Sequence, residues 1–163
     1  MSEIHLTTFI AAPIERVFDL ARSIDLHKKS MVHTNEQAVA GTTTGLIKLG
    51  ETVTWKAKHL GKMRVLKMKI TEMSRPLSFT DEMIEGDFKS FHHQHHFKQI
   101  ENGIFMIDIV KFESPYGKLG ELVNKFYLEK YLRTHLETRN EVIRSYAESN
   151  KWKDLLSNQN FIP

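Results

Sequence analysis

The chain has 163 residues, of which 40% are hydrophobic and 26% are charged, a length and composition suited to one domain with a sizeable core. The formal net charge is only +3, and Lys and Arg are dispersed among acidic residues, which argues against the concentrated basic surface of a nucleic-acid-binding protein. The sequence contains no cysteine, which excludes disulfides, thiolate catalysis and zinc–thiolate sites.

The sequence also contains no stretch with the roughly 20 apolar residues that are needed to cross a bilayer. It opens with a polar, strand-like segment and not with a signal-peptide pattern. We therefore expect a cytoplasmic protein with no membrane span and no nucleic-acid partner.

The first third of the chain predicts one strand and two short helices. Residues 3–11 alternate between apolar and polar side chains, as in a strand with one buried face. Pro13 suits the first turn of a helix, and a second short helix is expected near residues 25–30. The apolar residues after Pro13 repeat at helical spacing: Ile14, Val17, Phe18 and Ala21.

The middle of the chain predicts a series of antiparallel strands joined by short turns. A Gly61-Lys62 turn joins the first two of them into a hairpin. The predicted strands cover residues 51–60, 63–73, 77–83, 88–97 and 104–112.

From about residue 118 to 148 the apolar period becomes helical. Because β-sheets twist, a sheet of this length curls, and the single long helix must cover its concave side. We predict an α+β helix-grip architecture, in which a curved antiparallel sheet of six to seven strands wraps around the long C-terminal helix. Residues 1–148 form this domain, and residues 149–163 form a tail that docks on it or makes a homodimer contact.

Four ionisable side chains fall on the apolar face of three neighbouring strands: Asp81, His93, His95 and Asp108. Burial of such groups is unfavourable unless they are paired. Side chains directly opposite each other in a sheet lie about 4.5–5.5 Å apart at Cβ, which is close enough for pairing. Three interpretations remain open: a polar network that only sets strand register, the polar end of an apolar cavity, and a general acid–base pair.

The sequence His92-His-Gln-His-His96 also suggests a metal site. Strand geometry turns His93 and His95 to one face and His92 and His96 to the other, so the four cannot converge. With Asp81 or Asp108, the inward pair has the composition of a two-histidine, one-carboxylate site. Nothing in the sequence shows the required ligand distances, and we expect no metal and no other cofactor.

The remaining candidate ligand-binding side chains are apolar, aromatic or imidazole groups on the inward face of the sheet or on the long helix. They are Trp55, His59, Met83, Phe91, Met106 and Phe126. A gap between a curved sheet and a helix is a common place for a small ligand. These residues, together with the four ionisable ones, are the predicted ligand-binding set, and none of them is assigned a catalytic role.

Several motifs resemble a bacterial subgroup of the START-like, or SRPBCC, superfamily, which shares the helix-grip fold of the birch-pollen allergen. The start of the resemblance is Ile10-Ala-Ala-Pro-Ile-Glu-Arg-Val-Phe18. It continues with Gly50-Glu-Thr-Val-Thr-Trp55, Phe79-Thr-Asp-Glu-Met83, His93-Gln-His95-His-Phe97, Met106-Ile-Asp108 and Arg139. Asp87, Phe91 and Ile104 depart from the subgroup's pattern.

The resemblance implies a hydrophobic cavity for lipids, polyketides, hormones or other apolar molecules. We therefore expect non-covalent binding of a hydrophobic small molecule of the lipid, polyketide or aromatic type. One alternative, less favoured, is a cyclase or dehydratase that uses a His/Asp pair as base and acid. A second alternative is an interaction module whose cavity is vestigial.

Overall fold

A computed structural model of the protein describes residues 1–114 and 121–157. For residues 121–125 it describes the backbone only. Within these ranges the chain forms seven β-strands and four α-helices, with 3-10 turns at Val32–Thr34 and Asn150–Trp152. The elements in chain order are β1 (Ser2–Ile10), α1 (Ile14–Ala21), α2 (Ile24–Ser30), β2 (Gln37–Gly41), β3 (Thr52–His59), β4 (Lys62–Ser74), β5 (Ser78–Glu85), β6 (Ser90–Ile100), β7 (Gly103–Glu113), α3 (Glu121–Ala147) and α4 (Lys153–Leu156).

The strands belong to a seven-stranded sheet with the order β1-β7-β6-β5-β4-β3-β2. Every neighbouring pair is antiparallel, and from β2 to β7 each strand pairs with the next one in sequence. The chain passes through α1 and α2 between β1 and β2, so these two strands lie at opposite edges of the sheet. The predicted α+β helix-grip architecture is confirmed.

Strand β3 illustrates how the sequence selects the inner face of the sheet. Val53, Trp55 and Ala57 are buried, whereas Lys56 and Lys58 between and after them are exposed. Successive strand side chains point to opposite faces, so this alternation turns the apolar residues toward the core. The concave face that results is the one that meets the long helix.

The two short helices have local signals at their starts. Helix α1 begins directly after Pro13, whose φ of −60° already suits a helix start, and it buries Val17 and Phe18. At α2 the Ser23 hydroxyl accepts a hydrogen bond from the Leu26 N–H at 3.2 Å. That bond satisfies one of the free N–H groups of the first turn and fixes where α2 begins.

Helix α3 runs from Glu121 to Ala147 and packs on the sheet through one face. Leu136 and Ile143 on that face are 9% and 2% exposed, whereas Phe126 is 71% exposed. The predicted start of the helix, near residue 118, lies outside the described residues. Although α3 has 27 residues, neither it nor another helix in the described part of the chain is long and apolar enough to cross a membrane.

One strand position differs from the sequence-based expectation. The alternation of β5 predicts a solvated Thr80, but Thr80 is only 4% exposed. A register shift between Ile70 and Glu72 in β4 places Glu72 opposite Thr80. The Thr80 hydroxyl donates a hydrogen bond to the Glu72 carboxylate at 3.3 Å, so the outer face of the sheet is partly covered here by its own side chains.

The segment after α3 returns to the body of the domain. Leu156 in α4 is 4% exposed and belongs to the main apolar cluster, next to which Trp152 and Leu155 are partly buried. The guanidinium of Arg16 in α1 lies 4.4 Å from the centre of the Trp152 ring. Residues 158–163 of the predicted tail lie outside the described residues.

Candidate functional site

A cavity of about 510 Å³ lies between the concave face of the sheet and helix α3. Its sheet wall comes from the inward side chains of β3 to β6, and Leu128, Leu132 and Leu136 of α3 lie on the opposite side. The volume is within the range of about 300–1,000 Å³ that is usual for small-molecule sites. The apolar residues of the sheet wall include Val53, Trp55, Ala57, Leu66, Met68 and Ile70.

Ionisable side chains lie within this apolar wall on β5 and β6, and another lies buried behind it on β7. The register places Asp81 opposite His93 and His95 opposite Asp108. The hydrogen bonds run diagonally as well: His93 Nε2 lies 2.8 Å from Asp108 Oδ1, and His95 Nε2 lies 2.8 Å from Asp81 Oδ2. The second nitrogen of His95, Nδ1, is 3.1 Å from Asp108 Oδ1. The predicted pairing of these side chains across the strands therefore exists in the structure.

Helix α3 adds a cation and an amide to the same group. Arg139 donates a hydrogen bond to Asp108 at 3.3 Å and a second to the Ala21 carbonyl at 3.2 Å. The Asn140 side chain donates to the other carboxylate oxygen of Asp108 at 2.7 Å. We call the whole set the aspartate–histidine network; its members are Asp81, His93, His95, Asp108, Arg139 and Asn140.

The resemblance in the sequence had included Arg139 without a role, and sequence reasoning missed Asn140. A signal for both was present, because Leu136, Arg139, Asn140 and Ile143 have the i, i+3, i+4, i+7 spacing of one helix face. Arg139 and Asn140 are 6% and 1% exposed, so two polar residues lie on the core-facing side of α3. Polar residues in that pattern require buried partners.

The electrostatics of the network favour ionised carboxylates. Burial raises the pKa of Asp108, but the hydrogen bonds from His93 and His95 and the nearby Arg139 charge outweigh it and hold this pKa well below its usual value. Burial likewise opposes ionisation of Asp81, yet its hydrogen bond with His95 lowers its pKa. Burial, followed by the proximity of His95, lowers the pKa of His93 to about 4 in spite of the bond to Asp108. His93 is therefore a neutral imidazole near pH 7.

A second group of polar side chains lines the cavity between α2, β3 and α3; we call it the Tyr131 cluster. It comprises His27, Glu36, His59, Tyr131 and His135. His27 pairs with Glu36 at 3.1 Å, and His59 Nδ1 lies 2.7 Å from the Tyr131 hydroxyl oxygen. His135 Nε2 is buried and has no hydrogen-bond partner among the described residues.

Burial lowers the pKa values of both His59 and His135. For Glu36, burial acts against ionisation, and the hydrogen bond with His27 lowers the pKa below its usual value. Of this cluster, sequence reasoning had selected only His59. Tyr131 and His135 are four residues apart and therefore share a helix face, but nothing in the sequence pairs them with β3 or α2.

The ten predicted ligand-binding residues divide into two groups. Six of them line the cavity: Trp55, His59, Asp81, Phe91, His93 and His95. The other four are not among the lining residues: Met83, Met106, Asp108 and Phe126. Asp108 and Met106 are completely buried, and Met83 is half-buried against the main apolar cluster. Phe126 lies in α3 with most of its side chain exposed.

No protein-family model matches the sequence, and no curated protein is significantly similar to it. Solved structures, in contrast, match most of the chain. TTHA0849 from Thermus thermophilus superposes with a TM-score of 0.70 at 19% identity, over 90% of this chain and 99% of that protein. A START superfamily protein from Mycobacterium smegmatis has a TM-score of 0.67 at 11% identity, over 90% and 97% of the two chains.

Ginseng major latex-like protein 151 from Panax ginseng is similar to the same extent, with a TM-score of 0.66 at 14% identity, over 91% of this chain and 98% of that one. At these identities the likeness establishes the fold and leaves the ligand open. The strand order, the long α3 helix and these superpositions agree with one another. The chain therefore has the START-like, or SRPBCC, helix-grip fold.

Proposed function

We propose that the protein binds a hydrophobic small molecule, of the lipid, polyketide or aromatic type, in the cavity between the sheet and α3 without covalent chemistry. The observation that carries this proposal is the open volume of about 510 Å³ inside a wall that is mostly apolar. Sites for small molecules commonly combine such walls with a few convergent polar groups. The helix-grip neighbours support the proposal at the level of the fold.

Binding would draw its free energy from burial of the ligand's apolar surface, at about 25 cal/mol for each Å² removed from water. Met68 suits this role because a thioether side chain adapts to irregular shapes. Trp55 supplies a rigid aromatic surface, and its ring centre lies 4.3 Å from that of His27. The ligand would be sequestered by these side chains and held by no covalent bond.

The aspartate–histidine network would orient the polar end of the ligand. His93 lines the cavity and is 7% exposed, and the Asp81 side chain is 18% exposed, so both present polar atoms to the interior. Asp108 is completely buried behind them, so its role would be to position the two histidines. A hydroxyl or carboxylate is the kind of ligand group that fits these atoms.

The test is the identification and displacement of a ligand. Native and denaturing mass spectrometry of the purified protein, with an organic extract of the same sample, should reveal an apolar compound near one equivalent per chain. Affinity should then be measured by displacement of a fluorescent apolar probe. Ala57→Phe, which fills the cavity from β3, should abolish binding of the probe.

Lys58→Phe is the matched control, because it adds the same side chain to the exposed face of the same strand. Loss of probe binding in Ala57→Phe with retention in Lys58→Phe would support the proposal. Equal binding by the wild type and by a folded Ala57→Phe variant would contradict it.

The interaction-module alternative requires bulky side chains to fill the cavity, and the open volume speaks against it. The enzyme alternative requires a cavity base that accepts a proton near pH 7. The low pKa of His93, about 4, makes its imidazole a weak base at that pH and disfavours His93 for that role. The open, mostly apolar cavity makes non-covalent binding the function that the site supports best.

A further inference from the structure

Three side chains of the aspartate–histidine network each place one possible ligand atom close to the other two. These atoms, from Asp81, His93 and His95, all lie within 4.8 Å of one another. Asp81 Oδ2 is 2.8 Å from His95 Nε2 and 3.9 Å from His93 Nδ1. Ligands about 2.0–2.1 Å from a tetrahedral metal ion are roughly 3.3–3.4 Å apart, so the observed distances lie on either side of that value.

The partners of the two histidines leave one nitrogen of each facing Asp81. A carboxylate only accepts hydrogen bonds, so His93 Nε2, 2.8 Å from Asp108 Oδ1, carries a hydrogen, and His93 Nδ1 faces Asp81. His95 Nδ1 lies 3.1 Å from Asp108 Oδ1 and 3.4 Å from Arg139 Nη2, which can only donate. The hydrogen of His95 therefore has two places: on Nε2 toward Asp81, or on Nδ1 toward Asp108 with Nε2 free to bind a metal.

In the metal-free protein a hydrogen lies between His95 and Asp81, because His95 Nε2 and Asp81 Oδ2 are 2.8 Å apart. A metal ion would take the place of this hydrogen, and His95 would then carry its hydrogen on Nδ1, which lies 3.1 Å from Asp108. Histidines that bind metals almost always donate their other ring N–H to a carboxylate or a carbonyl. The buried carboxylate of Asp108 is within reach of both histidines for that role.

We propose that Asp81, His93 and His95 form a binding site for one divalent transition-metal ion, with Asp108 as the shared outer partner of both histidines. Two imidazoles and one carboxylate are ligands of Zn²⁺, Fe²⁺ and similar ions, whereas Ca²⁺ and Mg²⁺ prefer oxygen ligands. Metal binding by these residues does not require an apolar molecule in the cavity.

The surrounding charges are compatible with a cation. The Arg139 guanidinium lies 3.3 Å from Asp108 and offsets its charge, and Asn140 donates to the remaining Asp108 oxygen. Asp81 is therefore the carboxylate whose negative charge would offset the positive charge of the metal ion. Because Asp81, His93 and His95 line the cavity, the remaining coordination positions would face its interior, where water or the polar end of a ligand could bind.

The test is metal binding by the full-length protein without an affinity tag. After removal of metal with a chelator, Zn²⁺ titration should give one equivalent per chain, and Co²⁺ should give visible absorption bands typical of nitrogen and oxygen ligands. His93→Gln and Asp81→Asn should each weaken Zn²⁺ binding by at least about tenfold. Zn²⁺ should also raise the melting temperature of the wild type more than that of either variant.

His92→Gln is the matched control, because His92 lies on the same strand but on the outer face, 3.3 Å from Glu82. The sequence contains nine histidines, so the control separates this site from weak binding elsewhere on the surface. The proposal is overturned if the wild type binds Zn²⁺ no more tightly than Asp81→Asn, or if His92→Gln weakens binding as much as His93→Gln. In either case a hydrogen, and not a metal, bridges His95 and Asp81.

Discussion

Four polar side chains lie within 3.3 Å of the Asp108 oxygens: two histidines, an arginine and an asparagine. It is completely buried, so water cannot replace any of them. Burial of a charge is expensive, and the network is stable only because each buried group has a partner of opposite or complementary character. Removal of one member of the network therefore costs more than its own hydrogen bond, because its former partners stay buried without a hydrogen-bond partner.

We predict that Asp108→Ala destabilises the metal-free protein by about 3–5 kcal/mol, since it leaves the Arg139 charge buried without its carboxylate. The midpoint of urea denaturation, measured with a chelator present, tests this. Glu113→Ala is the comparison, because Glu113 pairs with Lys89 at the surface and should change the midpoint little. Similar midpoints for the two variants would show that the network contributes little to stability.

The Tyr131 cluster is one source of pH-dependent stability, and His93, whose pKa is lowered to about 4, is another. Burial lowers the pKa values of His59 and His135 from the ordinary value of 6.5, with contributions of the same sign from His33. Arg64 acts on His59 in that direction, and Glu36 opposes both shifts. Below about pH 6.5 the unfolded chain takes up protons that the folded cluster resists, so the free energy of unfolding falls as pH falls.

We therefore expect a lower melting temperature at about pH 5 than at about pH 7.5. His135→Gln, which removes one of the two buried imidazoles, should make this difference smaller. His5→Gln is the control, because the His5 side chain is 59% exposed and lies outside the cavity. An unchanged pH dependence in His135→Gln would exclude His135 as a source of it.

At the scale of elements, helix α3 contributes side chains to both the aspartate–histidine network and the Tyr131 cluster. Its inward face carries Tyr131, His135 and Arg139 toward the cavity, and Ile143 and Ala147 into the main apolar cluster. Phe126, on the same helix, is exposed. Among the described side chains of α3, the most deeply buried ones lie in its C-terminal half, whereas Leu128 and Leu132 of the N-terminal half are partly buried.

Ile143→Ala should cost about 2–4 kcal/mol of unfolding free energy, because Ile143 is 2% exposed and its removal leaves a cavity. Phe126→Ala should change it by no more than about 0.5 kcal/mol. Urea denaturation checks both values. Phe126→Ala should also leave probe affinity unchanged, and a marked loss of affinity would return Phe126 to the ligand-binding set.

At the scale of the whole molecule, the question is where the folded unit ends. We propose that residues 149–157 belong to it, because Leu156 is 4% exposed within the main apolar cluster and Trp152 lies beside Arg16. The boundary expected from the sequence, at residue 148, follows the change in composition after α3. Docking of the segment after residue 148 on the domain was one of the two alternatives expected from the sequence.

A chain that ends at Glu148 should be less stable than the full chain by about 1.5–3 kcal/mol, the value of burying one leucine side chain. Thermal and urea denaturation of the two chains measure the difference. Leu156→Ala in the full chain should reproduce most of the loss, whereas Asp154→Ala, at an exposed position, should not. Equal stability of the shortened and full chains would place the boundary at residue 148.

Local periodicity in the sequence was enough to predict most of the elements and most of the inner face of the sheet. The alternation around Trp55 and the repeats after Pro13 are properties of a few consecutive residues. The sequence also indicated that Asp81, His93, His95 and Asp108 share a face, since period-two alternation is local as well. Arg139 and Asn140 carried a helix-face signal, but their partner Asp108 lies more than thirty positions away.

The register, the cavity and the partners across it follow from tertiary packing alone. The diagonal pairing of His93 with Asp108 depends on the register between β6 and β7. Thr80 is opposite Glu72 because of a register shift in β4. The Tyr131 cluster exists because α2, β3 and α3 converge, although their side chains are far apart in sequence. Distances between remote segments depend on the packing of the whole chain, so local patterns indicate which residue types face inward but not which atoms meet.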